Sequence, residues 1–235
     1  MRSLQQRDAR PELMDSGPCT LRELNAALRF LEMTNRRFGG TAVILKHLAR
    51  WVSRHEGEAP IRILDVGTGA ADIPLAVAGW AATHGVPIEI VGLDVVEATT
   101  ELARARTARV GVISIVTGDL FTYAAQGAVF DYVIANLFLH HIEPAQTAAA
   151  LEACDRLARR GLLVSDLRRS WPSLLAVSAL SHAAGNRIVR HDGPLSVRRA
   201  FRRDELHALA RQAGLRYLEA RNEPWFRVSL TGEKS

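Results

Sequence analysis

Residues 61–72, IRILDVGTGAAD, are the stretch that decides the fold. The first six residues are mostly apolar and predict a strand, Gly67 and Gly69 predict a tight turn, and Asp72 begins a helical pattern. Strand, glycine turn and helix in this order bind nucleotide-like ligands at the carboxyl end of a parallel sheet. Glycine permits a close approach because a Cβ atom would intrude on the ligand.

The residue at position 72 narrows the class of ligand. A dinucleotide-binding turn has its third glycine here, where the helix amides meet a pyrophosphate. Asp72 would repel that pyrophosphate and would favour a cation instead. We therefore expect S-adenosylmethionine, which carries a sulfonium and no phosphate, rather than NAD.

Length and composition set the class of protein. A chain of 235 residues suits one α/β domain with additions. No apolar run is as long as a membrane span and the start is not a signal peptide, so we predict no membrane span and a cytoplasmic location. Cys154 lies on an apolar helical face and is predicted to be a buried free thiol. No metal is expected.

The positive charge of the chain first suggests a nucleic-acid partner. The net charge is +5 and the pI is about 9.8. However, Lys46 and Lys234 are the only lysines, and the arginines are dispersed among acidic residues. Such a pattern is typical of solvated helix faces and argues against nucleic acid. We expect a small-molecule acceptor as partner, and a homodimer is left open.

Strands and helices alternate strictly after Pro60. The pattern predicts strands at residues 61–66, 88–94, 112–117, 130–135 and 161–165, with helices at 72–84, 96–109 and 145–159 between them. A helix at 204–213 and an antiparallel hairpin of residues 215–220 and 225–230 follow. The expected fold is α/β, with a doubly wound, mostly parallel sheet of seven strands.

Two further segments surround this sheet. Residues 1–58 are predicted to form an N-terminal helical lid before a domain at 59–235. Residues 1–18 are expected to be a loose start, and a capping box at Thr20 predicts the beginning of a helix. A second helix is predicted from Thr41 to about His55. The bend between them, at 35–40, is either a lid hinge or a plain helix end. Residues 170–200 are predicted to be a cap insertion, with a helix at 173–184 and an irregular stretch at 190–194.

Polar residues stand at the carboxyl ends of the predicted strands. Asp94 ends the second strand and could accept two hydrogen bonds from a ribose diol, and Asp119 could accept from an exocyclic amine such as adenine N6. Each aspartate could instead cap the next turn. Three acids at successive strand ends beside a glycine turn favour ligand binding. Asn136 and Asp166 end the next two strands.

These motifs resemble those of class I S-adenosylmethionine-dependent methyltransferases. The resemblance rests on the turn at 65–69, Asp94, residues 118–120 and the segment NLFLHH at 136–141. It implies a Rossmann-like fold, with the turn at the methionine part, Asp94 at the ribose and Asp119 at the adenine, and S-adenosylhomocysteine as product. The implied cofactor-binding residues are Asp65, Gly67, Thr68, Gly69, Asp72, Asp94, Val95, Asp119, Leu120, Asn136 and Leu137. Ala71 stands where the family often has glycine.

A narrower resemblance concerns the acceptor. Residues 65–74, 166–169 and 191–200 are similar to bacterial small-molecule methyltransferases of specialised metabolism, which occur beside type III polyketide synthases. This implies a phenol, quinone or polyketide acceptor. Residues expected near the acceptor are Arg36, Phe38, Phe138, Arg168 and Arg190.

Methyl transfer to a phenol of pKa ~10 gains from a general base. His140 and His141 follow the fourth strand, and His191 lies in the cap insertion, so each is a candidate base. If this segment is helical or extended, the adjacent His140 and His141 cannot both point into the pocket, and one of them is then structural. The alternative is that these histidines only pack and that proximity alone drives the reaction.

The sequence thus predicts an O-methyltransferase acting on a small aromatic or polyketide-type acceptor. The alternatives are C-methylation of a quinone or polyketide precursor, methylation of RNA or protein, and a cofactor-binding module without catalysis. Residues 136–139, NLFL, lack the paired prolines of enzymes that methylate exocyclic amines of bases, which argues against that chemistry.

Overall fold

The computed structural model describes residues 4–16, 19–53 and 59–234. In this part of the chain, seven strands form one sheet in the order β3-β2-β1-β4-β5-β7-β6. The strands are β1 (Ile61–Val66), β2 (Ile88–Asp94), β3 (Ile113–Thr117), β4 (Phe130–Asn136), β5 (Ala158–Leu167), β6 (Glu219–Glu223) and β7 (Arg227–Glu233). β1 to β5 are parallel, and β7 is antiparallel to both β5 and β6. The predicted fold class is confirmed, with a mixed rather than strictly parallel sheet.

Helices surround the sheet on both faces and at its carboxyl edge. They are α1 (Leu13–Ser16), α2 (Leu21–Arg37), α3 (Gly40–Val52), α4 (Asp72–His84), α5 (Glu97–Thr107), α6 (Leu120–Ala125), α7 (Thr147–Leu157), α8 (Trp171–Ala183), α9 (Arg187–Arg199) and α10 (Arg203–Gln212). The predicted capping box is present at the start of α2, where Thr20 and Glu23 bond reciprocally. Phe38 and Gly39 separate α2 from α3.

The core consists of two apolar layers, one on each face of the sheet. On one face α3 and α4 pack against β1 residues such as Ile61 and Ile63, and on the other α7 and α10 pack against Leu64 and Val66. This alternation follows from the two-residue repeat of a strand. β4 is buried at all seven positions because it lies inside a parallel sheet that is covered on both faces.

The helix α3 belongs to this core. Its residues Ile44, Leu48 and Trp51 are buried against the sheet and α4. α3 ends at Val52, and the predicted end at His55 and the predicted boundary at residue 58 both lie outside the described residues. The assignment of residues 1–58 to a lid stays a prediction, and α2 is the part of that segment which lies over the carboxyl edge of the sheet.

Residues 190–194 are not irregular, contrary to the sequence prediction. They form the middle of α9, which includes Pro194. Asn186 caps the helix by accepting from the amide of Val189. The helix continues through the proline because its apolar face, including Ile188 and Val197, is fully buried. This packing offsets the backbone hydrogen bond that Pro194 cannot donate.

The N-terminal residues 4–16 are also ordered, whereas the sequence predicted a loose start. Leu4 packs with Leu174 and Val197, and both carboxylate oxygens of Asp192 accept from backbone amides of α1, at 2.8 and 3.0 Å. Arg7 donates from Nε to the carbonyl oxygen of Arg199 at 2.6 Å. These contacts fasten the segment across α9.

Across residues 4–16, 19–53 and 59–234, no helix combines the length and the apolar character that crossing a bilayer requires.

Arg227 is a buried cation at the point where several segments meet. Its guanidinium donates to the carbonyl oxygen of Phe38 at 3.0 Å and to the side-chain oxygens of Asn35 at 2.7 Å and Asn136 at 3.4 Å. A Cβ atom at Gly40 would lie 2.5 Å from the Asn35 oxygen and 2.6 Å from this guanidinium. Glycine at position 40 is therefore required by packing.

We expect Gly40→Ala to destabilise the protein by about 1–3 kcal/mol, since the added methyl must displace a buried ion–dipole contact. The matched control is Gly79→Ala in α4, where a Cβ would meet nothing within 4 Å. That change should stabilise by about 0.5–1 kcal/mol through helix propensity. Urea unfolding of both variants measures the effect, and equal midpoints for the two would contradict the packing argument.

Candidate active site

A pocket of about 210 Å³ lies at the carboxyl ends of β1, β2 and β4. All eleven residues that the sequence implied for the cofactor line this pocket: Asp65, Gly67, Thr68, Gly69, Asp72, Asp94, Val95, Asp119, Leu120, Asn136 and Leu137. α2 closes one side with Leu28, Leu31 and Asn35. The individual role of each residue stays a prediction, but the sheet brings all of them to one place.

The glycine turn has the backbone that such a pocket needs. Gly67 and Gly69 have φ values of 69° and 54°, in the left-handed region that favours glycine. A Cβ atom at Gly67 would also lie 2.6 Å from the ring of Phe138. Ala71 has φ 61°, which explains why the resembling family often has glycine there and implies backbone strain of about 1 kcal/mol or more.

Three aspartates that line the pocket accept hydrogen bonds from neighbouring residues. Asp94 accepts from the amide of Gly69 at 2.9 Å and from that of Val96 at 3.0 Å, so it ties the turn to the end of β2. Burial raises the pKa of Asp94. Asp72 accepts from the amide group of Asn35 at 2.8 Å. Asp119 caps α6 through Oδ1, so the capping alternative weighed for this residue is present.

The pocket suits a cationic ligand that donates hydrogen bonds. Burial raises the pKa of Asp65 to about 8, and its Oδ2 atom has no hydrogen-bond partner among the described residues. Among the described residues that line the pocket there are five aspartates and no lysine or arginine. The ammonium and sulfonium groups of S-adenosylmethionine fit this lining, whereas the pyrophosphate of NAD would be repelled.

A second cavity, of about 440 Å³, adjoins the first. Its walls are mostly apolar and come from α2, α8, α9 and the turn between β6 and β7, with Phe30, Phe38, Val177, Leu180, Val189 and Trp225 among them. Met14, Leu31, Leu137 and His141 line both cavities. Leu137 directly follows β4 and lines both cavities. Its φ of 52° is a strained value for leucine.

The polar end of the second cavity is formed by His140, His141 and Glu12. His140 is buried, and its Nδ1 lies 2.6 Å from Asp166. The Nδ1 atom of His141 lies 2.6 Å from Asp15. Each imidazole is therefore oriented by its own carboxylate.

Both histidines line the apolar cavity. The sequence excluded this arrangement only for a helix or a strand, whereas these residues lie in a 3₁₀ turn, Leu139–His141, with their ring centroids 4.2 Å apart.

Charges around the cluster shift the pKa values of its members. Burial by itself would lower the pKa of His141, but the carboxylates of Glu12 and Asp15 raise it, to about 9. Burial by itself would raise the pKa of Asp166, but the His140 imidazole and the Leu167 amide hold it below its ordinary value. Asp166 is therefore an ionised hydrogen-bond acceptor, and His140 donates to it from Nδ1.

Several residues that were expected near the acceptor lie elsewhere. Arg36 and Arg190 are exposed, and neither they nor Arg168 line the apolar cavity. His191 pairs with Asp192 at 2.7 Å and is likewise absent from the wall. Helical periodicity in α2 and α9 turns these side chains outward.

Two aromatic residues from the same prediction do lie beside the cavities. Phe38 is on the wall of the apolar cavity, and Phe138 is on the wall of the cofactor pocket, packed on Gly67.

Sequence reasoning missed the partners of the two histidines. Glu12 and Asp15 come from the N-terminal segment that was expected to be loose. Asp166 was noted only as a strand end, and Arg199 was unremarked, although it donates to the carbonyl oxygens of both histidines at 2.9 and 2.8 Å. No local pattern signals these hydrogen bonds, because they join residues that are 26 to 126 positions apart.

Comparison with known proteins agrees with this geometry. Residues 63–161 match a family described as methyltransferase domain. The demethylmenaquinone methyltransferase of Staphylococcus haemolyticus is 28% identical over 113 residues, which cover 48% of this chain and 45% of that protein. The chain spans about half the length of the curated relatives it matches.

Solved structures show the same fold over more of the chain. The plantazolicin methyltransferase BpumL in complex with S-adenosylhomocysteine has a TM-score of 0.65 at 11% identity, covering 91% of this chain and 96% of that one. The magnesium protoporphyrin IX methyltransferase of Synechocystis PCC 6803, also with S-adenosylhomocysteine, has a TM-score of 0.57 at 15% identity and covers 84% of each chain.

The raised pKa of Asp65 generates a prediction for cofactor affinity. A cationic ligand favours the ionised carboxylate, so affinity for S-adenosylmethionine should rise from about pH 6 to about pH 8, by up to about tenfold per pH unit. Asp65→Asn should flatten this dependence. Calorimetric titration at several pH values measures it, and an equally steep rise in the variant would show that Asp65 is not the linked group.

The glycine turn, the acid-lined pocket and the matched family agree on one identification. Residues 63–161 match a methyltransferase domain, and the pocket at this part of the sheet fits S-adenosylmethionine, the cofactor that the sequence predicted.

Proposed function

We propose that the protein transfers the methyl group of S-adenosylmethionine to an oxygen atom of a small, largely apolar acceptor. The observation that carries this proposal is the wall shared by the two cavities, where Leu137 and His141 face both. An acceptor in the larger cavity and a cofactor in the smaller one would meet at this wall. That meeting point is also where the polar cluster lies.

The lining of the larger cavity supports an aromatic or polyketide-type acceptor. Its volume of about 440 Å³ is in the range of small-molecule sites, and aromatic and aliphatic side chains dominate its walls. Among the described residues, the one arginine on its wall is Arg227, which is already engaged with Asn35, Asn136 and the backbone of Phe38. These features favour an uncharged acceptor.

Catalysis in this arrangement depends mainly on how the protein positions the acceptor relative to the cofactor. The bound cofactor supplies an activated methyl on a sulfonium, so the protein needs to align the acceptor oxygen in line with it and to exclude water. Phe38 and Trp225 pack edge to face, 5.6 Å apart, at the wall of the cavity. This contact joins the α2–α3 junction to the β6–β7 turn and covers the acceptor.

The proton of the acceptor hydroxyl is assigned to the cluster of Glu12, His140 and His141. This cluster lies on the wall of a mostly apolar cavity and adjoins the cofactor pocket. A positioned base is worth about 10²–10⁴-fold for a group that ionises as weakly as a phenol. His191, which points away from the cavity, is not part of this proposal.

C-methylation of a quinone precursor is the second candidate. It is favoured by the curated relatives, which are named for demethylmenaquinone, and it would use the same two cavities. The setting in specialised metabolism, the cytoplasmic location and the homodimer stay predictions from the sequence.

Substitution within α8 tests the cavity. Leu180→Trp fills the apolar cavity and should raise KM for the acceptor at least about tenfold, since displaced apolar contacts are worth a few kcal/mol, with cofactor affinity unchanged. The matched control is Leu175→Trp on the same helix, where the side chain is 68% exposed. Assays use isotope-labelled donor with a panel of phenols and quinols. Equal KM values for the two variants would place the acceptor elsewhere.

Removing both imidazoles tests the polar cluster. The double variant His140→Ala, His141→Ala should lower kcat for a phenolic acceptor by at least about 10²-fold, while calorimetry still detects cofactor binding. His191→Ala serves as the control and should retain activity. Near-normal turnover in the double variant would leave proximity as the source of catalysis and would favour an acceptor that needs no base.

A further inference from the structure

Glu12, His140 and His141 form a cluster whose ligand atoms are arranged as in a metal site. The Nδ1 atoms of the two histidines are taken by Asp166 and Asp15, each at 2.6 Å. A carboxylate only accepts, so each Nδ1 donates to its aspartate and each Nε2 is the ring atom that remains available to another partner. Both Nε2 atoms face the carboxylate of Glu12.

The distances distinguish between a proton and a metal ion as that charge. His140 Nε2 lies 3.6 Å from Glu12 Oε1, and His141 Nε2 lies 4.0 Å from Glu12 Oε2. Both exceed the length of a hydrogen bond. They suit two ligands of one ion, since metal–ligand bonds of ~2.0–2.2 Å place neighbouring ligand atoms ~3.3–4 Å apart. One ligand atom from each residue lies within 4.8 Å of the others.

We propose that Glu12, His140 and His141 bind one divalent transition-metal ion, with zinc as the best match to two imidazoles and one carboxylate. The coordination is that of a catalytic site, with three protein ligands and an open position facing the apolar cavity that the same residues line. Asp166 and Asp15 are the outer-shell carboxylates that commonly orient metal-bound histidines through Nδ1.

The surrounding charges fit such an ion. Three carboxylates, on Glu12, Asp15 and Asp166, lie next to the two imidazoles, and guanidinium groups on Arg7, Arg199 and Arg227 lie near these carboxylates. Arg199 donates to the backbone oxygens of His140 and His141, which fixes the turn that carries both ligands. The Ser196 hydroxyl donates to Glu12 Oε2 at 2.9 Å and orients the third ligand.

The metal site gives the cluster a second way to activate an acceptor, and this consequence rests on the proposed function. A hydroxyl group entering the open position displaces bound hydroxide, which leaves as water with the proton of the hydroxyl group. The acceptor oxygen, now an anion bound to the ion, then takes the methyl group. Binding of the ion itself does not depend on this step.

Metal content is measured without any turnover. Protein treated with EDTA, desalted and titrated with zinc should bind one ion per chain, as read by calorimetry and by elemental analysis after gel filtration. Cobalt(II) should give the visible spectrum of a tetrahedral site. Glu12→Gln and His141→Ala should each weaken binding at least about tenfold, whereas His191→Ala, which removes a histidine outside the cluster, should leave it unchanged.

Zinc binding that is absent in the wild-type protein, or unchanged in Glu12→Gln, overturns the proposal. Circular dichroism and melting temperature verify that each variant folds, and the wild-type titration decides the matter even if a variant does not fold. Turnover separates this inference from the proposed function. Methylation that persists in the EDTA-treated protein retains the methyltransferase and overturns the activating role of the ion, whereas the zinc titration alone decides the metal site.

Discussion

The buried guanidinium of Arg227 is the interaction on which both cavities depend. It bonds to the end of α2 through Asn35, to the α2–α3 junction through Phe38 and to the end of β4 through Asn136. Burial lowers its pKa to about 10, so it stays charged at neutral pH. Breaking such a buried, paired charge costs several kcal/mol. α2 is thereby fixed in a position where it lines both the cofactor pocket and the apolar cavity. The guanidinium also fills the space that a side chain at position 40 would occupy, so packing requires glycine there.

Two adjoining cavities with different linings, the cofactor pocket and the apolar cavity, lie at the carboxyl edge of the sheet. The acid-lined pocket places carboxyl groups at the ends of β1 and β2, where a sulfonium cofactor is favoured. The neighbouring cavity is mostly apolar, and Glu12, His140 and His141 lie together on its wall. Methyl transfer needs a cation beside an oxygen that can lose its proton, with little water present. The position of His141 on both walls brings these requirements together, whether the proton goes to an imidazole or to hydroxide on a metal ion.

Much of the fold and of the cofactor pocket could be predicted from the sequence because the signals are local. The apolar run at 61–66, the glycines at 67 and 69 and the acids at successive strand ends are read within a few residues of each other. A parallel sheet then brings strand ends together by topology alone. All the implied cofactor residues accordingly line one pocket. The errors fell where packing overrides local preference, as in α9, where a buried apolar face carries the helix through Pro194.

The acceptor side was decided by the tertiary structure. Glu12 and Asp15 come from a segment without a strong local pattern, and they meet His140 and His141 only because Asp192, Arg7 and Leu4 hold that segment against α8 and α9. The rotation of α2 and α9 likewise decides that Arg36 and Arg190 lie outside the cavity wall. A 3₁₀ turn places both adjacent histidines on that wall. The sequence by itself determined the sheet and which cofactor it holds, since those follow from short-range pattern. The tertiary structure alone decided what faces the methyl group, because that site is assembled from contacts between distant segments.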